Sequence, residues 1–311
     1  MLELLDFDSM KDAVGYGYGG ATGPKAPKMC NGLVTIIKRQ EKVRDNQYDT
    51  SYVNDPLSEY IGSHIYEILG VPVHQTRLGM YKGRMAVGCV DFSAYTGKPL
   101  VEFRYLKNTI VSDDIEYDVS GMSRDLENIL KSIDILFNGE LKDKVLNRFY
   151  TMFVVDSLIG NADRNNGNWG FFREADGLTL APVYDCGSCL NYRRPDSKIR
   201  EDVNDEERMR NLALIYTFNF RVNGKLINPF HCIERNLDNK YIVRALDMVC
   251  SIDENKVIDL IDTLDNVCSS ERMFYYKRIL VMRLAKLRNI QSSNAGGGSK
   301  LSSLFKNAEG Y

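Results

Sequence analysis

Five consecutive residues, Leu33-Val34-Thr35-Ile36-Ile37, are apolar or β-branched and lead onto Lys38, which predicts a buried strand with a cation at its end. Behind Pro56, residues Leu57, Ile61, Ile65, Ile68 and Leu69 recur at helical spacing until Gly70-Val71-Pro72 stops them. That period puts them on one face of an amphipathic helix, with proline near its start and glycine just past its end. Residues 73–80 and 84–92 read as two more strands, split by a Lys82-Gly83 turn. The first part of the chain is expected to be a small strand-helix-strand-strand unit.

Past Val101 the period changes. Apolar positions follow helical spacing through 126–137, 145–159, 241–249, 257–264 and 273–290, interrupted by short β-like segments at 169–172 and 178–184. The stretch from Asp91 to Pro99 marks the change of character, and Ala295-Gly-Gly-Gly-Ser-Lys300 is linker-like. The expected class is α+β in two lobes: a small β-rich lobe at 1–95, a larger, mainly helical lobe at 96–291, and a flexible tail at 292–311.

With 311 residues, 44% hydrophobic and 26% charged, the chain can bury a large core and has an ordinary globular composition. Its 40 basic and 42 acidic residues leave a net charge of −2, which gives no basis for bulk nucleic-acid or anionic-membrane binding. No apolar run reaches membrane-spanning length, and the acidic opening Met-Leu-Glu-Leu-Leu-Asp lacks a secretory pattern. Seven scattered cysteines fit a reducing, cytoplasmic-type setting. Cys186 and Cys189 have no second pair to complete a zinc site and are read as incidental neighbours of Asp185.

The chemistry is concentrated in Gly160-Asn-Ala-Asp163-Arg-Asn-Asn-Gly-Asn168-Trp-Gly170, followed seventeen residues after Asn168 by Asp185. An Asp, an Asn five positions on and a second Asp after a short apolar run is a phosphotransferase arrangement. The first Asp takes the proton of the attacking hydroxyl; the Asn and the second Asp supply oxygen ligands to magnesium. Asp163 is thus the candidate base, and Asn168 and Asp185 are the candidate metal ligands. Lys38 is placed to reach the nucleotide phosphates, with Glu59 on the following helix to pair with it. The glycine-rich segment 15–23, with Lys25 and Lys28, could lay backbone N–H groups and positive charge over phosphates, and Tyr16, Tyr18 and Thr22 offer acceptor hydroxyls there. Arg164 and Asn165 are candidates for placing the substrate hydroxyl or the γ-phosphate. His64, His74 and His231 show no ligand spacing and read as satisfied surface or core side chains; Trp169 reads as packing beneath the loop.

These motifs resemble the HipA-like serine/threonine kinases. The loop matches the family's Gly-Asn-x-Asp-x4-Asn, Val183-Tyr184-Asp185 its metal-binding Tyr-Asp, and Glu59 through Gly70-Val71-Pro72 its Glu-x10-Gly-Leu-Pro helix ending. The resemblance covers residues 15 to about 190. It implies a two-lobed protein-kinase-like fold, ATP and Mg2+ as cofactors, and transfer to a Ser or Thr hydroxyl of a protein substrate. It also implies a phosphate loop containing Gly20, Thr22, Gly23 and Lys25, with autophosphorylation pointing to Thr22, and adenine near 89–92, where Val90 and Asp91 are candidate contacts. Longer members carry an additional amino-terminal domain and work with a DNA-binding antitoxin. This chain begins almost at the loop, so an antitoxin partner and operator binding are not carried over, and neither a nucleic-acid nor a membrane partner is expected. Where the usual motif is Asp-Phe-Gly, this chain has Asp185-Cys186-Gly187. The loop also resembles that of phosphatidylinositol kinases, so a lipid or small-molecule kinase is the alternative, and a nucleotide-holding pseudokinase the third reading.

Overall fold

The structure is a computed structural model that describes residues 2–17, 25–41, 53–110 and 124–296. The N-terminal lobe comprises β1 (Leu5–Asp6), β2 (Ala26–Cys30), β3 (Leu33–Arg39), α1 (Asp55–Ile68), β4 (Thr76–Tyr81) and β5 (Arg84–Val90). A crossover of α2 (Phe92–Thr96), β6 (Leu100–Glu102) and α3 (Phe103–Lys107) leads to α4 (Leu126–Leu136) and α5 (Gly139–Ile159). Then follow β7 (Gly170–Glu174), β8 (Gly177–Leu180), α6 (Asp196–Asp202), α7 (Glu206–Leu214), β9 (Arg221–Val222) and β10 (Lys225–Leu226). The chain closes with α8 (Pro229–Arg235), α9 (Lys240–Cys250), α10 (Glu254–Asp262) and α11 (Ser270–Gly296).

The N-terminal sheet has the order β1-β4-β5-β3-β2, antiparallel except for the parallel β1–β4 pair. The expected strand at 33–38 is β3, and Lys38 lies opposite Val87 of β5. Its partner β2 escapes the sequence pattern because Pro27 sits in it, which an edge strand tolerates. The hairpin turn Asn31-Gly32 carries positive φ at both residues, the geometry that matches strand twist in two-residue loops. The strand expected at 84–92 stops at Val90. There Asp91 caps α2, its carboxylate accepting from the N–H groups of Ser93 (2.8 Å) and Ala94 (3.1 Å).

Helix α1 is buried along most of its length and packs on β4 and β5 on one side and on α5 and α10 on the other. The main apolar core consequently runs unbroken from α1 to α11, so the two lobes share it. Helix α5 is buried continuously from Phe149 to Ile159 and forms the axis of the C-terminal lobe. It ends at Gly160, in the left-handed region at φ 69°, where a Cβ would collide with the guanidinium of Arg283. The left-handed φ favours glycine there, and the polar loop starts from that point.

Two expected segments are corrected. Strand β8 ends at Leu180, with one further backbone bond to β7 from Ala181 N–H to Gly170 O (3.1 Å) before Pro182. Instead Val183 makes a single parallel bridge to Val73, its N–H donating to Pro72 O (2.8 Å) while its carbonyl accepts from His74 N–H (2.9 Å). Helix α11 continues to Gly296, so 292–296 belong to it rather than to a tail. Among the described residues no helix is long and apolar enough to cross a membrane.

Candidate active site

Glu59 lies one turn into α1, and its side chain is 1% exposed. The helix can approach the Asp185 segment this closely because Gly62 carries no side chain: a Cβ there would stand 2.8 Å from Cys186 Cβ. Lys38 Nζ donates to Glu59 Oε2 (2.8 Å) and to Asp185 Oδ1 (2.9 Å). The other oxygen of Glu59, Oε1, accepts from Cys186 N–H (2.7 Å) and lies 3.1 Å from His74 Nε2, which is also 3.0 Å from Ser63 Oγ. Burial opposes the charge on Glu59, but Lys38 and the His74 hydrogen bond more than offset it and hold the carboxyl well below its usual range. For Lys38, too, burial works against the charge, and the Asp185 and Glu59 carboxylates raise the ammonium well above its ordinary value. Glu59, His74 and Cys89 lie within 4.8 Å of one another, but Lys38 is paired to Glu59 and burial keeps the Cys89 thiol protonated. This trio therefore serves the lysine rather than a metal.

Asp55 sits one turn before Glu59 on α1. Its Oδ1 is buried without a hydrogen-bond partner, and burial, partly offset by Lys38, pushes the carboxyl up to about 7. Nothing in the sequence pattern marked it.

The loop after α5 is built on its own backbone. The carbonyl of Asp163 accepts from the side-chain amides of Asn165 (3.1 Å) and Asn168 (3.0 Å), and Gly167 N–H donates to Asn165 Oδ1 (2.9 Å). Holding Asn168 by its nitrogen leaves its Oδ1 as the acceptor. Asp163 Oδ1 accepts from Asn219 Nδ2 (2.5 Å), a partner outside every motif read from the sequence. Burial raises the Asp163 carboxyl and Asp185 adds to this; Arg124, the Asn219 hydrogen bond and Arg164 pull the other way. Asp185 follows the Val183 bridge at φ 62°, and its side chain remains 43% exposed in the cleft.

Arg164 and Asn165 are corrected. Arg164 is 2% exposed and its guanidinium points inward, donating to both carboxylate oxygens of Asp156 (2.7 and 3.1 Å) and to the carbonyls of Asn168 (2.9 Å) and Tyr184 (2.5 Å). It therefore clamps the loop to the Asp185 segment and does not face a substrate. Asn165 is buried in the turn described above. Trp169 packs as expected, its ring stacked on Phe103 at 4.3 Å.

Cys186 and Cys189 are free and buried, and burial raises both thiols. His74 is the satisfied core histidine expected, in direct contact with Glu59. Val90 and Asp91 lie where the lobes meet; their N–H groups donate to Gln75 O (2.9 Å) and Val34 O (2.8 Å). Lys25 lies close enough to Glu102 to oppose the burial that raises that carboxyl. Gly20, Thr22 and Gly23 lie outside the described residues.

A sheet-and-helix lobe facing a helical lobe, with a buried lysine–glutamate pair beside an Asp-x4-Asn loop and a second Asp, defines a kinase. No family model matches the chain. It is 32% identical over 301 residues to the serine/threonine-protein kinase CtkA of Helicobacter pylori strain J99, a match covering 94% of this chain and 89% of that protein. The crystal structure of the H. pylori proinflammatory kinase CtkA shares the fold at a TM-score of 0.84 and 29% identity, over 96% of this chain and 100% of the other. HipA of Shewanella oneidensis MR-1, solved with HipB and operator DNA, shares it at a TM-score of 0.56 and 15% identity, over 91% of this chain and 67% of the other. The chain belongs to the HipA-like serine/threonine kinase family. It is a serine/threonine protein kinase, which sets aside the lipid-kinase and pseudokinase readings.

Proposed function

We propose that this cleft transfers the γ-phosphoryl group of ATP to a Ser or Thr hydroxyl of a protein, with Asp163 as the proton acceptor. The hydroxyl oxygen bonds to the γ-phosphorus as the bond to the β-phosphate oxygen breaks, the hydroxyl proton passes to the Asp163 carboxylate, and ADP leaves. The observation that carries this reading is the convergence of residues far apart in the chain: Lys38 and Asp185 stand 147 positions apart and touch.

Lys38 has three N–H donors and two are taken by Glu59 and Asp185, so the third is left for the α- and β-phosphates. Asn168 Oδ1 and the half-exposed Asp185 carboxylate are hard oxygen donors of the kind magnesium takes. Magnesium bound there would neutralise phosphate charge as the transfer proceeds. In this reading Gly20, Thr22, Gly23 and Lys25 cover the phosphates, Val90 and Asp91 border the adenine, and Thr22 is the acceptor for autophosphorylation. The lobes divide at α2, with 1–95 on one side and the residues from 96 to the end of α11 on the other. The net charge of −2 supports a protein substrate rather than nucleic acid or membrane, and the reading needs no antitoxin partner. Seven free cysteines support a reducing, cytoplasmic setting.

Intact-mass measurement and peptide mapping after incubation with Mg-ATP, with and without chelator, test the proposal. The expected result is a chelator-sensitive phosphoryl gain on Ser or Thr. Phosphoryl transfer to inositol lipids, with none to Ser or Thr of any protein acceptor, would contradict it.

A further inference from the structure

Residues 218–222 run beside the catalytic loop with strict alternation. Phe218 and Phe220 are buried against Phe153, with ring centroids 5.2 and 5.9 Å away, and Phe220 also meets Phe149. The residue between them lies at a bend in the chain and is only partly buried. That residue is Asn219, and its amide hydrogen-bonds Asp163. The segment is held on both sides: Asn219 N–H donates to Ala162 O (3.0 Å), Phe218 N–H to Ile227 O (2.9 Å) and Arg221 N–H to Arg124 O (2.8 Å).

The amide of Asn219 is fixed by what flanks it. Its Nδ2 donates to Asp163 Oδ1 (2.5 Å), and its Oδ1 accepts from Arg124 Nη1 (3.2 Å). An ionised carboxylate only accepts and a guanidinium only donates, so the amide has a single orientation that satisfies both neighbours. A carboxylate otherwise rotates about its last torsion with little preference. With Oδ1 taken by Asn219, Oδ2 is the oxygen left for the substrate hydroxyl, and among the described residues no hydrogen bond is made to it.

We propose that Asn219 is a positioning residue for Asp163, fixing which carboxylate oxygen meets the substrate hydroxyl, and that Arg124 holds Asn219 in place. The proposal rests on Asp163 being the proton acceptor. Asn219 does not touch the reacting atoms; it acts through Asp163. The charged groups that act on Asp163 are Arg124, Arg164 and Asp185, and Arg124 is also the group that bonds Asn219.

The test is steady-state kinetics and nucleotide binding of Asn219→Ala, Arg124→Ala and the double variant, with Asp163→Asn as reference. Asn219→Ala is expected to lower kcat by roughly 10–100-fold, the scale of a misplaced reacting group, with KM for ATP and nucleotide affinity within about twofold. Arg124→Ala is expected to give a smaller kcat loss of the same kind; because Arg124 also acts on Asp163 directly, the double variant is expected to lose more than Asn219→Ala alone but less than the product of the two single losses. An unchanged kcat in Asn219→Ala, a loss shared equally by nucleotide binding, or losses that multiply in full in the double variant would overturn the proposal. Arg124 is exposed, so if Asn219→Ala does not fold, Arg124→Ala decides: a kcat loss with KM for ATP unchanged supports the proposal, and an unchanged kcat overturns it. Activity surviving in Asp163→Asn would remove the reading beneath; an inactive Asp163→Asn beside an unaltered Asn219→Ala would remove this proposal only.

Discussion

Arg164 is bound by both carboxylate oxygens of Asp156, a residue inside the last turns of α5, while the same guanidinium holds the backbone of Asn168 and Tyr184. Asp156 is itself tied down by Tyr66 Oη (2.9 Å) and Asn161 Nδ2 (3.2 Å). The pair is a buried bracket that sets the distance between the loop carrying Asp163 and the segment carrying Asp185.

Removing one partner of such a pair leaves an uncompensated buried charge. Asp156→Asn is expected to lose about 3–5 kcal/mol of stability, measured as a lower midpoint in urea at unchanged slope. Arg164→Lys keeps the charge but not the fork, and is expected to lose activity as well, because it cannot hold Asp156, Asn168 and Tyr184 together. Wild-type activity in Arg164→Lys would show that the bracket does not set the site.

Glu59→Gln keeps the shape and removes the charge. Lys38 then answers to Asp185 alone, and kcat/KM for ATP is expected to fall about 10–100-fold, the worth of one hydrogen bond to a charged group. An ATP titration reads this directly; an unchanged value would mean that Lys38 needs no help from α1.

Asp55 gives a stability prediction with a definite sign. Its carboxyl is raised from 3.8 to about 7, so between those values the folded chain holds a proton that the unfolded chain releases. Its contribution therefore worsens as pH rises from about 4 to 7 and is least favourable above 7. Asp55→Asn is expected to melt roughly 2–4 °C above the wild type at pH 8, with a smaller gap at pH 5. A gap of the same size at both pH values would show that ionisation of Asp55 is not its source.

Gly62→Ala would be stabilising on helix propensity alone, by about 1 kcal/mol. The expected outcome is the reverse, a net loss of about 1–3 kcal/mol from overpacking, because the added carbon meets Cys186. Differential scanning calorimetry gives the sign.

The parts legible in the sequence were those with a regular period or a fixed motif. The run 33–37, the α1 stripe ending at Gly70 and the polar loop after α5 each announced themselves, and Glu59 and Lys38 do meet. What stayed hidden lacked a local signal. Strand β2 contains a proline and is recognisable only through the Asn31-Gly32 turn. Arg164 looked like a loop cation, because its burial depends on Asp156 eight residues earlier and on a carbonyl twenty residues later. Asn219 reaches Asp163 from 56 positions away, and its only trace was its place between two phenylalanines. Asp55 reads as an ordinary acidic residue at a helix start until the fold buries it.

The central claim is that Asp163 acts on the proton and Asp185 on the metal and nucleotide. Calorimetric titration with Mg-ATP and single-turnover phosphotransfer, run in parallel on Asp163→Asn and Asp185→Asn, separate the two roles. The account predicts that Asp163→Asn binds Mg-ATP like the wild type and turns over about 10²–10⁴-fold more slowly, while Asp185→Asn loses Mg-dependent binding itself. Full turnover in Asp163→Asn, or intact Mg-dependent binding in Asp185→Asn, would contradict it.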